Sequence, residues 1–322
     1  MNIKPIIPFE PIKQEEIPEG KHWVYQIKWD GVRILTYCDG SEVKLFNRNL
    51  NERTKQFPEV VNIKNYANVK SIILDGEIIA FKEGRPSFSQ VMKRDRLRSE
   101  RSIQAKTATI PICYCIFDIL YLNGDWLLDT PLNERQEILK KVIKPTNAIQ
   151  LVKNYDDGEQ LFTAVKEQQL EGMICKDVTS SYELKGKDKR WLKIKNFHDI
   201  HAVIGGVTYR GNTVNSLLLG MYDKEQTFHY VGHAGTGKLS QDDWTTITKL
   251  IETIKTDNMP FVHKPDRAKG AVWVKPQYVV KIQYIEWPKG QSIRQPSIQA
   301  FIDKPAEGCL LPEDHSDKGR VK

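Results

Sequence analysis

Short strand-like segments bounded by turn residues run through most of this chain and limit the folds open to it. In the first part they are residues 24–37, 42–47, 71–81 and 110–122. Asp39-Gly40, between the first two, is a strong hairpin signal, and Asp75-Gly76 predicts a bend that divides the third into two strands. Helical spacing predicts two helices, over 132–145 and from 157 towards 172. The pattern predicts an α+β fold with antiparallel sheets and flanking helices.

The character of the chain changes after Lys195. Short strands separated by glycine, asparagine and aspartate turns are predicted at 202–207, 216–222, 227–231 and 277–286, with one helix at 241–256. About five such strands suit a small β-barrel, and the OB-fold is the commonest one that binds nucleic acid. Because single cores stop growing near about 250–300 residues, a chain of 322 residues is expected to form two domains. We predict domains at 1–197 and 198–305 and a flexible charged tail at 306–322.

Composition bounds the partners and the compartment. A net charge of +7 and a pI of about 8.9 permit a polyanionic partner. Five cysteines without framework spacing indicate a reducing compartment, which predicts a cytoplasmic protein. Cys113 and Cys115 share one face of a predicted strand and indicate a core pair, because a zinc site needs further ligands. The first 20 residues lack an apolar stretch, and no run approaches the ~20 apolar residues of a membrane span, so neither export nor membrane insertion is expected.

A lysine motif is the strongest chemical signal. Lys28-Trp29-Asp30-Gly31-Val32-Arg33 has the spacing K-x-D-G-x-R and lies on the first arm of the predicted hairpin. A lysine amine can attack phosphorus if burial or neighbouring cations favour its neutral form. The same letters can also form a surface turn with a Lys/Asp pair, so the motif needs confirming context.

Two carboxylates at glycine bends could hold a cation. Glu77 follows Asp75-Gly76, and Glu171 precedes Gly172. Magnesium takes one or two carboxylates together with substrate phosphates and water, so such a pair suffices for a site. Turn carboxylates that face solvent are the alternative.

Other residues suit a nucleotide. Phe117 could stack on a purine or belong to the core. Lys193 and Lys195 share one face of a predicted strand and suit a triphosphate, and Arg48 offers a forked donor for phosphate or ribose. Between Lys93 and Lys106, six basic residues could contact a phosphate backbone or form a solvated face. Residues 185–190 could form a mobile loop over the same substrate.

These motifs, in their order and spacing, resemble the nucleotidyltransferase motifs of ATP-dependent DNA ligases. They are the lysine motif, Asn47-Arg48-Asn49, Asp75-Gly76-Glu77, Phe117-Asp118, Glu171-Gly172 to Lys176, and Trp191 to Lys195. The second part resembles the family's OB-fold in Ile204 to Gly206, Leu218 to Asp223 and Tyr230 to Gly237. The chain looks most similar to small bacterial and phage ligases and to the ligase domain of bacterial end-joining enzymes.

The resemblance implies an enzyme that uses ATP to seal 5′-phosphate/3′-hydroxyl nicks or ends. Lys28 would form a lysyl-AMP, AMP would pass to the 5′-phosphate, and the 3′-hydroxyl would displace it. Nicked or broken duplex DNA is then the expected partner. The protein is expected to be a monomer that associates with the nucleoid when it acts. The resemblance does not specify end-joining or replication partner proteins.

The resemblance also implies roles for individual residues. Lys28 would be the nucleophile, Asp30 would orient it and the nick, and Lys193 and Lys195 would hold the α-phosphate. The residues expected to bind ATP are Gln26, Arg33, Arg48, Glu77, Phe117, Glu171, Lys176, Lys193, Lys195 and Lys304. Phe117 would stack on adenine, and Glu77 and Glu171 would serve the ribose and a Mg²⁺ ion, with Mn²⁺ as an alternative.

The sequence departs from the family pattern at the last motif. Where R-x-D-K is expected, the chain has Phe301-Ile302-Asp303-Lys304, which places self-adenylylation in question. Arg294 could substitute, or Lys304 could suffice. Gln26 stands where related enzymes often have glutamate.

Three alternatives to an ATP-dependent DNA ligase remain at this point. GTP-dependent capping enzymes and RNA ligases share the lysine motif, and a non-catalytic DNA-end-binding relic could keep the fold. NAD-dependent ligases need an extra N-terminal domain, for which the 27 residues before Lys28 leave no room, so ATP is the expected donor.

Overall fold

The computed structural model describes residues 4–235, 237–265 and 268–315. It divides the chain into two compact units, Met1–Asn196 and Phe197–Lys322.

The first unit contains eleven strands among the residues described. They are β1 (Ile12–Lys13), β2 (Trp23–Ile27), β3 (Val32–Cys38), β4 (Val43–Asn47), β5 (Ile72–Lys82), β6 (Arg85–Pro86), β7 (Ile112–Leu122), β8 (Asp125–Trp126), β9 (Ile149–Leu151), β10 (Gly172–Asp177) and β11 (Trp191–Lys195). Its helices are α1 (Pro58–Val61), α2 (Phe88–Asp95), α3 (Glu100–Thr109), α4 (Leu132–Val142) and α5 (Gly158–Glu167).

These strands form two sheets. One has the order β1-β11-β10-β2, and the other has the order β4-β3-β5-β7-β8, with β6 on β5 and β9 on β7. Neighbouring strands are antiparallel except for β1 with β11 and β7 with β9. The predicted α+β class with antiparallel sheets and flanking helices is confirmed.

The predicted strand over 24–37 is wrong, because the chain crosses between the two sheets inside it. β2 pairs with β10, whereas β3 pairs with β4 and β5, so Lys28 lies between sheets and not on a hairpin arm. Gly31 permits the crossing, since a Cβ there would lie 2.1 Å from the Ile78 carbonyl oxygen. The β3–β4 hairpin at Asp39-Gly40 is confirmed, and the Asp39 Oδ1 atom accepts backbone N–H bonds from the turn.

The predicted division at Asp75-Gly76 is also wrong. β5 is one continuous strand, and the signal marks a shift of its register with β7. Helices α4 and α5 agree with the prediction, and the Asp157 side chain caps α5 by accepting the Gln160 backbone N–H at 2.9 Å. Helices α1, α2 and α3 were not predicted. α1 has only four residues, too few to show a helical period, and the polar composition of α2 and α3 hides the apolar stripe.

Three apolar clusters hold the first unit together. The largest packs α2 and α4 on one face of the seven-stranded sheet, and a second packs α5 on the four-stranded sheet. The third contains Leu35, Tyr37 and Ile73 of the larger sheet and Trp191 of the smaller one. Because this cluster joins the two sheets, they face each other, and side chains beside it line the space between them.

The second unit is an antiparallel sheet with a helix. Its elements are β12 (His198–Arg210), β13 (Thr213–Tyr222), β14 (Phe228–Ala234), α6 (Gln241–Glu252), β15 (Val272–Trp273), β16 (Val279–Tyr284) and β17 (Ser297–Ile302). The strand order is β14-β13-β12-β16-β17, with β15 on β12. A bridge from Gly237 to Ile298 links the two edges of the sheet, which is consistent with the predicted OB-fold. β17 was not predicted.

Residues 306–315 pack on this unit, although composition predicts a flexible tail. Ala306 and Cys309 are buried, and the Tyr222 N–H donates to the Cys309 carbonyl at 2.8 Å. The rest of the predicted tail, 316–322, lies outside the described residues. Within the described part of the chain, every helix is too short or too polar to span a membrane.

Candidate active site

Lys28 lies at the end of β2 in contact with Glu171. Its backbone N–H donates to the Gly172 carbonyl at 3.0 Å, which extends the β2–β10 ladder by one residue. Its Nζ lies 2.5 Å from the Glu171 Oε2 atom. The Glu171 side chain is only 4% exposed, against 21% for Lys28, so a buried carboxylate holds an amine that still reaches solvent.

Two more lysines share this face of the four-stranded sheet. In the strand register, Lys195 of β11 lies opposite Gly172 of β10, and Lys193 lies opposite Ile174. Ile174 lies opposite Gln26 of β2, two residues before Lys28, so these side chains are on the same face. The Lys195 Nζ lies 3.7 Å from the Glu171 Oε1 atom. Burial lowers the pKa of Lys193 and of Lys195, and the charge of Lys28 lowers both further. Two amines, those of Lys28 and Lys195, therefore lie against one carboxylate, and Lys193 is on the same face, an arrangement that suits the oxygens of an anionic substrate.

The facing sheet contributes Glu77. It is half-buried and pairs with Arg33 across β3 and β5. Burial raises the pKa of Glu77 to about 8, although the charges of Lys28 and Arg33 oppose the shift. Glu171 and Asp30 raise it further. The charges of Lys28, Asp30 and Glu171 thus all act on Glu77.

Arg33 is engaged by the protein itself. Its guanidinium makes two bonds to Asp75, at 2.9 and 2.6 Å, and donates to the Phe9 carbonyl at 2.6 Å. The Tyr182 hydroxyl also donates to Asp75, at 2.8 Å. The pKa of Arg33 stays above its ordinary value because Asp75 outweighs the effect of burial. Sequence reasoning did not identify Asp75 and Tyr182 as partners of Arg33.

Lys176 is buried against two aromatic rings. Its Nζ lies 4.2 Å from the centroid of Phe117 and 3.9 Å from that of Trp191. Lys176 is 2% exposed, and its Nζ has no hydrogen-bond partner among the described residues. Burial lowers the pKa of Lys176 to about 7. Phe117 is half-buried and meets Trp191 edge to face, so part of its ring remains open.

The remaining predicted residues of the first unit differ in exposure. Gln26 is buried, and its Nε2 donates to the Asn154 Oδ1 at 2.7 Å. The Asn154 side chain donates in turn to the Gln136 Oε1 at 2.6 Å, so the Gln26 amide is held in one orientation. Arg48 is exposed beyond the end of β4.

The last-motif residues belong to the second unit. Phe301 is 36% exposed on β17, and Lys304 is exposed after it. Arg294, the possible substitute, has its Nη1 2.5 Å from the Glu286 Oε2 atom.

Two charged residues of the predicted motif and basic stretch, Asp118 and Arg94, have structural roles. Asp118 and Arg135 form a fully buried bidentate pair at 2.8 and 2.9 Å. Arg94, within the predicted basic stretch, is also buried and binds Glu59 and two backbone carbonyls. The exposed members of that stretch are Lys93, Arg96, Arg98, Arg101 and Lys106. The predicted loop over 185–190 is held to the N-terminal segment by backbone hydrogen bonds.

The carboxylates fit a hard cation only in part. Among the described residues, no group of three or more acidic, histidine or cysteine side chains could hold a metal. Glu77 and Glu171 lie within electrostatic range of each other, and two carboxylates are a donor set that magnesium completes with substrate phosphates and water. The residues therefore fit a substrate-assisted metal site.

The fold and the site define a lysine-centred nucleotide-binding unit followed by a small β-barrel. A family model described as ATP dependent DNA ligase domain matches residues 10–195, and one described as ATP dependent DNA ligase C terminal region matches 210–303. The chain belongs to the family of ATP-dependent DNA ligases. The resemblance stated from the motifs is confirmed.

Named relatives agree with the family. The DNA ligase of Thermococcus onnurineus is 29% identical over 297 residues, which cover 88% of this chain and 51% of that protein. The multifunctional non-homologous end joining DNA repair protein LigD of Mycobacterium tuberculosis is 30% identical, over 87% of this chain and 36% of LigD. The chain thus spans about half or less of these relatives. A solved structure of mycobacterial DNA ligase D with ATP and MES has a TM-score of 0.51 and 27% identity, and covers 96% of this chain and 98% of that one.

Proposed function

We propose that this chain seals nicks or ends in duplex DNA with ATP, through a lysyl-AMP on Lys28. The observation that carries the proposal is the 2.5 Å contact of the Lys28 Nζ with Glu171, beside Lys193 and Lys195 on one sheet face. Relatives named DNA ligase favour DNA over the capping and RNA-ligase alternatives.

Glu171 is suited to prepare the nucleophile. The carboxylate can take a proton from the Lys28 ammonium, which leaves a neutral amine. The bond from Nζ to the α-phosphorus then forms while the bond to pyrophosphate breaks. Lys193 and Lys195 would neutralise the charge that develops on the phosphoryl oxygens, and such placed charges are a major source of rate enhancement in phosphoryl transfer.

The base site is proposed on the open part of the Phe117 ring, beside Lys176. The open part of the Phe117 ring suits a purine, and the buried Lys176 Nζ is a donor that has no partner among the described residues. Arg33 is better suited to hold Asp75 and the Phe9 backbone in place than to bind ribose directly, because those partners occupy most of its donors.

A bound Mg²⁺ or Mn²⁺ would be held by Glu77 and Glu171 and would offset phosphate charge. The exposed cations of α2 and α3 are proposed to contact the DNA backbone. We further propose that the protein acts as a monomer in the cytoplasm, associated with the nucleoid.

The test is transfer of label from α-labelled ATP to the protein, read on a denaturing gel after pyrophosphate has removed bound AMP. Wild type and Lys64→Ala, an exposed-lysine control, should be labelled, and Lys28→Ala should not. A nicked duplex should then be sealed. Label from GTP but not from ATP, or sealing of RNA alone, would contradict the proposal.

The missing last-motif arginine is tested separately. If Lys304 or Arg294 replaces it, Lys304→Ala or Arg294→Ala will lower formation of the lysyl-AMP while sealing of pre-adenylylated nicks is retained. Normal lysyl-AMP formation in both variants would exclude both residues. Salt-dependent DNA binding with no adenylate in wild type would instead support the end-binding relic.

A further inference from the structure

Two thiols lie side by side on β7. Cys113 and Cys115 are two residues apart, so their side chains lie on the same face of the strand. Their Sγ atoms are 3.8 Å apart. Cys115 is 5% exposed, whereas Cys113 is half-buried and keeps access to solvent. The predicted core pair therefore accounts for Cys115 but not for the accessible thiol of Cys113.

This pair adjoins the proposed ATP site. Phe117 faces the four-stranded sheet, where its ring meets that of Trp191, whereas Tyr114 and Ile116 point the other way into the large core cluster. Cys115 pairs directly with Glu77 on β5. Side chains directly opposite on neighbouring strands have Cβ atoms about 4.5–5.5 Å apart. The two thiols therefore lie beside Glu77 on β5 and beside Phe117 further along β7.

We propose that Cys113 and Cys115 form a redox-sensitive dithiol that a peroxide converts to an intrastrand disulfide, and that this bridge lowers formation of the lysyl-AMP. The effect on adenylylation rests on the proposed function. Formation of the disulfide does not.

The oxidation proceeds in two balanced steps. The Cys113 thiolate attacks a peroxide oxygen, the O–O bond breaks, and a sulfenic acid forms with release of hydroxide. The Cys115 sulfur then attacks the Cys113 sulfur, and water leaves with its proton. Sulfur is oxidised and the peroxide is reduced. The hydrogen bond between the thiols lowers the pKa of Cys113, which favours Cys113 as the first thiol to react.

Closure must distort the strand. Residues two apart on an extended strand have Cα atoms about 6.6 Å apart, near the upper limit of about 6.8 Å for disulfides. The sulfur atoms must also approach from 3.8 Å to about 2.05 Å. A strained bridge is readily reduced, as labile disulfides are. Since Cys115 is in register with Glu77, the distortion reaches the proposed site directly.

The test treats reduced protein with increasing hydrogen peroxide, then alkylates it under denaturing conditions and digests it with trypsin. Both cysteines fall in one peptide, Thr107–Arg135. We expect this peptide to lose two hydrogens and to resist alkylation, while Cys38, Cys175 and Cys309, which are buried, remain thiols. Label transfer from ATP should fall at least about tenfold and recover with dithiothreitol. Cys113→Ser and Cys113→Ala should keep their label at the same peroxide concentration.

Each other outcome is decisive. Alkylation of both cysteines after peroxide, or a Cys113 sulfinic acid without a bridge, would overturn the disulfide. A bridge that leaves label transfer unchanged, or equal inhibition of Cys113→Ser, would overturn its effect on adenylylation. If reduced wild type takes no label, the proposed function fails, but the peptide mass still tests the bridge.

Discussion

Replacement of Lys176 by methionine should stabilise the protein. The Lys176 Nζ is buried and has no hydrogen-bond partner among the described residues, and its pKa falls from 10.5 to about 7. At ~1.4 kcal/mol for each pKa unit, keeping the ammonium buried costs about 5 kcal/mol. Desolvated contacts with the Phe117 and Trp191 rings return about 2 kcal/mol each at most, and methionine fills a similar volume. We expect a net gain of at least about 1 kcal/mol in the free energy of unfolding at low pH.

The pH dependence has a defined sign. Below pH 7 both the folded and the unfolded states carry the ammonium, so wild type bears the whole cost. Between about pH 7 and 10.5 the folded state has lost the proton that the unfolded state still binds, so the stability of wild type rises with pH. The advantage of Lys176→Met should therefore shrink over this interval.

Urea unfolding of both proteins at about pH 6 and about pH 9 measures the effect as a change of midpoint at constant slope. Lys166→Met is the matched control, because Lys166 is an exposed lysine over the Phe162 ring and should give little change at either pH. Lys176→Met that is less stable than wild type at low pH, or equally stabilised at both pH values, would refute the reasoning. The variant should also lose label transfer from ATP if Lys176 contacts the base.

Two further predictions concern stability alone. Arg135→Leu leaves the buried Asp118 carboxylate without its ion pair and should lower the free energy of unfolding by about 3–5 kcal/mol. The double variant with Asp118→Leu should regain most of that loss, and an equal loss in the single and double variants would contradict the reasoning. At Gly237 (φ +155°), a Cβ would lie 2.0 Å from the Ile298 carbonyl oxygen, so Gly237→Ala should lower the melting temperature of the second unit. Gly211 has open space around it, so the control Gly211→Ala should lower the melting temperature less.

Local signals predicted the elements that local chemistry controls. The Asp39-Gly40 turn supports its hairpin by its own hydrogen bonds, and Asp157 caps α5 within one turn. The same signals failed where packing decides. Asp75-Gly76 reads as a bend, yet pairing on both sides keeps β5 continuous, and the polar helices α2 and α3 depend on burial of a few residues such as Arg94.

For the site, the motif letters predicted the family, and the comparisons confirm it, while the roles of single residues stay predictions. Sequence alternation placed Lys193 and Lys195 on one face, which the structure shows. Sequence alternation could not show that the Arg33 guanidinium donates hydrogen bonds to Asp75, because these residues are far apart in the chain and meet only through the pairing of β3 with β5.

The amino-acid sequence by itself determined the nucleophile candidate, the strand-rich character of both parts and the family, because these depend on residue identity and spacing. Only the tertiary structure decided that Lys28 lies where the chain passes from one sheet to the other, that Lys176 is buried, and that Cys113 and Cys115 adjoin Glu77. The physical reason is that burial and cross-strand neighbours depend on which distant strands pair. The sequence gives the identity of a lysine or a cysteine but not whether its side chain lies in solvent or in the core.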